Sequence, residues 1–250
     1  MNQVITITFG DVAENHVGMQ QIGDVSVGFT YDDLLVAQEW FERKGIATKL
    51  IHLDDYLEID EKKEHGAYFL HIKNGLSAMV DPSAFLDEQL KIDYDKKAFM
   101  YGRVVNKRAR FNVCFSKEDQ EPDYSNRKGR IVSFSKCPLL QKVRTYLGEI
   151  LPEKAKDLMA EGNYYYDMSK CGIGYHGDAE RRKVIGIRVG ESLPLYFKWY
   201  SKGKQVGDRI PIQLGHGDIY MMSEKTTGFD WKKKKIYTLR HATGATSFTK

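Results

Sequence analysis

The chain has 250 residues, 42% hydrophobic and 29% charged, with a formal net charge of +4. That balance belongs to a water-soluble globular protein with room for one large domain, or a core domain with an appendage, and no apolar run reaches the roughly 18 to 20 residues of a membrane span. Three widely spaced cysteines, Cys114, Cys137 and Cys171, make no C-x-x-C pair, which argues against a structural zinc site and for reduced, intracellular thiols.

The mild positive charge permits a nucleic-acid partner without demanding one. No basic and apolar leader pattern opens the chain, so a non-secreted protein is expected in the cytoplasm or nucleus. QVITITF reads as a strand and VSVGF as a second. YDDLLVAQEWFERKG then places Leu34, Leu35, Ala37, Trp40 and Phe41 at helical spacing, with Gly45 as a stop. ATKLIHL and AYFLHIKNGL read as two more strands, with the charged DEKKEHG between them as a loop. Around PSAFLDEQLKIDYDKKA the pattern turns irregular. These features predict an N-terminal α/β module over 1–95 and a second domain over 96–250.

The stretch from 98 to 135 is basic and loop-rich. CPLLQKVRTYLGEIL follows as a helix with Leu140, Val143, Leu147 and Leu151 on one face. Beyond it come KVIGIRV, LPLYFKWY, RIPIQL, DIYMM and KIYTLRH, short strands divided by glycine turns. Five such strands in about 60 residues suggest a sandwich or jelly roll. The fold class expected is therefore α+β, with a β-rich core behind an α/β module.

GYHGDAERR, at 174 to 182, carries His176 and Asp178 two positions apart. On a strand such a pair projects to one face, because side chains alternate with period two. An imidazole and a carboxylate on one face are two members of the two-His-one-carboxylate set that holds Fe(II) and leaves positions open. Taken singly, an H-x-D is more often a polar turn. Other segments support it. KKKKIYTLRHATG ends a strand with Arg240, whose planar fork suits a dicarboxylate. EGNYYYD offers Asn163 and Tyr165 at alternate positions, and GHGDIYMM enters a strand from a turn.

In this order the segments resemble the AlkB-like Fe(II)/2-oxoglutarate dioxygenases, over roughly 98–244. The resemblance implies a double-stranded β-helix (jelly roll) core, Fe(II) with 2-oxoglutarate as co-substrate, and hydroxylation or demethylation of a nucleobase or nucleic acid. It implies His176 and Asp178 as the first two metal ligands and Arg240 as the arginine meeting 2-oxoglutarate. Asn163 and Tyr165 are implied beside the co-substrate, and Lys234 stands where the family has a second arginine. The segment before the core carries the family's substrate loops, which here gives Tyr101, Arg103, Arg110 and Tyr124.

The third ligand departs from the pattern. Where the family has a distal His-Gly, this chain reads Thr227-Gly228. Three accounts stay open: His216 of the His-Gly-Asp turn as ligand, a weak two-residue site, or a scaffold that has lost redox chemistry and binds nucleic acid or a nucleotide. His241 follows Arg240 directly, so on a regular strand it is expected to face away from the cavity. An oxygenase of a free amino acid or other small metabolite fits the same chemistry. AENHVGMQQIG, at 13 to 23, reads as a tight bend between strands, with His16 as a further candidate for the site.

Overall fold

The structure is a computed structural model and describes residues 2–57 and 64–250. Part of the expected DEKKEHG loop, residues 60–63, lies outside the described residues. In chain order the first strands are β1 (Val4–Gly10), β2 (Val12–Glu14), β3 (Gln21–Gly23), β4 (Thr48–His52), β5 (Tyr68–Ile72), β6 (Lys97–Met100), β7 (Arg103–Asn106), β8 (Phe111–Ser116) and β9 (Ile131–Ser133). The C-terminal half adds β10 (Met159–Tyr165), β11 (Gly172–His176), β12 (Val184–Gly190), β13 (Leu195–Ser201), β14 (Lys204–Ile212), β15 (Ile219–Met222) and β16 (Thr238–Gly244). The helices are α1 (Tyr31–Glu42), α2 (Pro82–Leu90), α3 (Pro138–Ile150) and the short α4 (Thr246–Thr249). The fold is α+β, mostly sheet with few helices.

Two sheets dominate. The larger runs β4-β5-β15-β12-β1-β10-β8-β9 and the smaller β11-β16-β13-β14. Neighbours pair antiparallel except β8 with β9. Period-two alternation divides the strands of the larger sheet into two faces. On β1, Ile5, Ile7 and Phe9 join Leu34, Ala37 and Phe41 of α1 and Leu140, Val143 and Leu147 of α3 in one apolar core. The opposite face turns Phe69, Tyr220 and Met222 toward Leu195, Phe197, Trp199 and Leu239 of the smaller sheet. Each fully buried side chain of this size contributes about 1.5–3 kcal/mol. The order is thus helices, large sheet, small sheet.

Several sequence expectations change. The boundary at residue 95 does not separate two bodies of structure: β1 lies between β12 and β10 in mid-sheet, and β4 and β5 extend the same sheet. VSVGF forms no strand, and two of its backbone donors are taken by side chains. Ser26 N donates to Asp11 and Gly28 N to Glu224, both at 2.8 Å, in place of a ladder. The irregular reading after Pro82 gives way to α2, capped by Asp81, whose carboxylate accepts from Ala84 N. The stretch from 98 to 135 carries β6 to β9. Both longer helices stand as read. Thr30 and Asp33 close a capping box at the start of α1, and Gly45 follows its end.

Candidate metal centre and its cavity

A cavity of about 620 Å³ opens between the two sheets where their apolar contact ends. Alternation decides which side chains reach it. β10 contributes Glu161, Asn163 and Tyr165, β1 contributes Thr6 and Thr8, and β12 contributes Val184 and Arg188. Gly186, between those last two on the same face, leaves room for the Tyr220 ring: a Cβ there would lie 2.0 Å from its Cζ. From the smaller sheet come Ile173 and His176 of β11 and His241 and Thr243 of β16. A register shift between Ile173 and His176 brings both onto the cavity face although they are three residues apart.

At one end of the cavity His176, Asp178 and His241 converge, with one ligand-type atom of each within 4.8 Å of the others. His176 and His241 are direct cross-strand partners, their ring centroids 4.5 Å apart. Asp178 Oδ1 lies 3.4 Å from His176 Nε2 and 3.5 Å from His241 Nε2. Asp178 stands in the turn beyond β11 and not on the strand. Its backbone N donates to Thr227 O at 2.9 Å, and Gly177 packs on Gly228 so closely that a Cβ would fall 2.1 Å from the Gly228 carbonyl oxygen. The Thr227-Gly228 segment therefore supports the centre through its backbone.

The protonation states suit a metal. Burial favours the neutral form of Asp178, yet His241 and His176 outweigh it and hold the carboxyl well below the usual carboxylate range. Burial pushes His241 below its ordinary value, so its imidazole is neutral near pH 7. His176 Nδ1 lies 2.8 Å from Gly174 O, and donation there leaves the Nε2 lone pair for a ligand bond. Two imidazoles and a carboxylate on one side of an open cavity form a donor set that fits a mononuclear divalent transition metal.

His241 overturns its expectation. Leu239 lies in the core between the sheets while His241 and Thr243 line the cavity, so the odd-numbered positions of β16 face inward. Arg240 consequently faces the other way, its guanidinium 3.9 Å from the Tyr200 ring centroid and 5.0 Å from that of Trp231. The parity of β16 is thus the reverse of the one that an inward Arg240 requires. His216 is an exposed turn residue outside the cavity lining, its Nδ1 accepting from Gly190 N at 3.1 Å. The His-Gly-Asp turn is structural: Asp218 accepts from His71, Asn74 N and Gly215 N, each at 2.8 Å.

Of the other sequence candidates, Asn163 and Tyr165 line the cavity, Asn163 Oδ1 accepting from Arg110 Nε and Asn112 Nδ2, both at 2.7 Å. Arg110 and His16 also line it. Lys234 is exposed and outside it. Tyr101 is 89% exposed at the turn between β6 and β7, Arg103 is exposed, and Tyr124 donates to Asp95 at 2.7 Å. None of these three lines the cavity.

Two further arginines line the cavity beside Arg110, and neither was among the sequence candidates. Arg188 is fully buried, and its Nε, Nη1 and Nη2 all lack partners among the described residues. Burial pushes its pKa down from the ordinary value. Its cross-strand neighbour Thr6 likewise has a buried Oγ1 without a partner. A guanidinium left this way is costly unless an anion completes it. The available signal was a charged residue inside VIGIRVG, an otherwise apolar strand. Arg181 is the reverse case, held by Glu161 at 2.6 Å and Glu180 at 2.8 Å.

No protein-family model matches the chain. An uncharacterized protein of Acanthamoeba polyphaga mimivirus is 49% identical over 254 residues, covering 100% of this chain and 99% of the viral one. The chain belongs to that protein's family. The match runs through both sheets and the helical layer, so it is a likeness of the whole fold and not of one segment.

Proposed function

We propose that this protein is an Fe(II)- and 2-oxoglutarate-dependent dioxygenase on a double-stranded β-helix. The observation that carries the reading is one cavity holding His176, Asp178 and His241 together with the unpaired guanidinium of Arg188. The motive for a redox-inactive scaffold is the lack of a third ligand, and the place of His241 beside His176 and Asp178 supports the catalytic reading instead.

Topology supports the finer fold. From β10 to β16 the chain crosses between the sheets in the order large, small, large, small, small, large, small. A jelly roll needs one more strand returning to the large sheet between β10 and β12. β1 occupies that slot, antiparallel to both neighbours, so the N-terminus supplies the closing strand. The resemblance placed the clamp arginine on the last strand. Here that slot is filled by β1, which carries Thr6 and Thr8 toward the cavity, and the guanidinium comes from β12 beside it.

Bound iron, with 2-oxoglutarate and oxygen, supplies the oxidising power to convert a substrate C–H to C–OH while the co-substrate becomes succinate and carbon dioxide. The chain's residues hold and orient. Arg188 takes a carboxylate of the co-substrate through a charge-assisted fork, and Thr6 donates beside it. His176 is fixed in one tautomer by Gly174. The packing of Gly177 on Gly228 and Trp231 fixes the turn that carries Asp178, which would hold the metal. Among the substrate candidates only Arg110 reaches this space, which favours a small polar molecule over a nucleobase stacked between aromatic planes. The test is succinate release with Fe(II) and 2-oxoglutarate, alongside calorimetric Mn(II) binding. Metal affinity unchanged in both His176→Ala and His241→Ala refutes the assignment.

A further inference from the structure

Of the three arginines lining the cavity, Arg188 and Arg181 sit in opposite electrostatic surroundings. Arg188 has no carboxylate in ion-pairing range among the described residues. Arg181 has Glu161 and Glu180 on its Nη2, with Asp178 3.9 Å from Nε. Glu14 on β2 adds another acid to this wall: its backbone N donates to Glu161 Oε2 at 3.2 Å, and its Oε1 accepts from Gly18 N and Gln21 Nε2. No cation pairs with Glu14 among the described residues. With Asp178 assigned to the metal, the wall sets three carboxylates, Glu14, Glu161 and Glu180, against one guanidinium.

An acidic wall alone marks no site. The independent observation is Arg181, whose side chain is 4% exposed and whose Nη1 is buried without a partner while Nε and Nη2 are engaged. Buried polar nitrogens are normally satisfied, so this one is open to an acceptor from outside the described residues. Burial and the charge of Glu180 raise the Glu14 carboxyl above its ordinary value, which a ligand cation would reverse.

We infer that this wall is the substrate subsite, and that it takes an aliphatic amine with an oxygen acceptor close to the nitrogen, the class of free amino acids and amino alcohols. The ammonium offers three donors to the open oxygens of Glu14 and Glu180, and the ligand oxygen meets Arg181 Nη1. A phosphate entering here meets like charge. The inference rests on the oxygenase reading for what happens to the bound amine, though binding itself does not require it.

Calorimetry on the full chain tests it, using the twenty common L-amino acids and ethanolamine as probes against adenosine monophosphate and oligothymidylate. At least one amine is expected to bind, and Glu14→Gln to weaken it at least tenfold, with circular dichroism reporting on folding. Should that variant fail to fold, Glu180→Gln is expected to give the same loss. Failure of every amine, or amine affinity unchanged in the folded variant, overturns the inference, as does nucleotide binding in its place. Mn(II) and 2-oxoglutarate are titrated separately. Their binding without any amine defeats this inference alone, whereas amine binding without theirs upholds it and defeats the oxygenase reading.

Discussion

Replacing Arg188 with methionine separates a ligand clamp from a structural cation, because the two roles move stability and affinity in opposite directions. In the ligand-free protein the guanidinium is fully buried with three unpartnered nitrogens. Exchanging a buried ionic group for an apolar one of similar length stabilises by about 1–4 kcal/mol. Taking about 2 kcal/mol, and about 2–4 °C per kcal/mol for a chain of this size, Arg188→Met is expected to raise Tm by about 4–8 °C. Co-substrate affinity is expected to fall, since breaking a buried charge pair costs about 3–5 kcal/mol, roughly two to three and a half orders of magnitude in Kd. Thermal melts with and without 2-oxoglutarate, plus calorimetry in the presence of Mn(II), read both effects. Arg188→Lys keeps the charge but loses the fork, so it is expected to bind the dicarboxylate with intermediate affinity. A destabilised Arg188→Met with unchanged dicarboxylate affinity refutes the reasoning.

Further predictions concern the centre and its supports. His241→Ala is expected to lose Mn(II) binding as fully as His176→Ala, while His216→Ala retains it, all read by calorimetry. Arg240→Ala is expected to lower stability by about 1 kcal/mol through loss of its contacts with Tyr200 and Trp231, leaving 2-oxoglutarate affinity intact. Gly177→Ala drives a Cβ into the Gly228 carbonyl, and a loss of about 3 kcal/mol or more in urea unfolding is expected. The folded pKa of His241 lies below its ordinary 6.5, so the unfolded chain binds the extra proton between those values. Stability of the metal-free protein is therefore expected to fall as pH drops through about 6.5, and His241→Gln to flatten that slope in melts across pH 5–8.

The residues legible in sequence were those whose role follows from local pattern. His176 and Asp178 stand two apart, and Asn163 and Tyr165 alternate along one strand, so their shared faces depend on short-range geometry. The helix with Leu140, Val143 and Leu147 on one side, and the run of short strands behind it, are likewise local in origin. Alternation along β16 was visible too, but it has two phases. Which phase faces inward is set by Leu239 packing between the sheets, a contact between distant parts of the chain.

Only the tertiary structure could decide that phase, and with it exchange Arg240 for His241. It also moved β1, about 150 residues before its partner β10, into the middle of the larger sheet, dissolving the expected N-terminal module. Arg188 became significant for the same reason. Its charge is plain in the sequence, but the absence of a partner depends on what every neighbouring strand brings to the cavity. The sequence by itself determined strand character and the local spacing of donors. Hydrophobic contacts between residues far apart in the chain determined which of those donors meet.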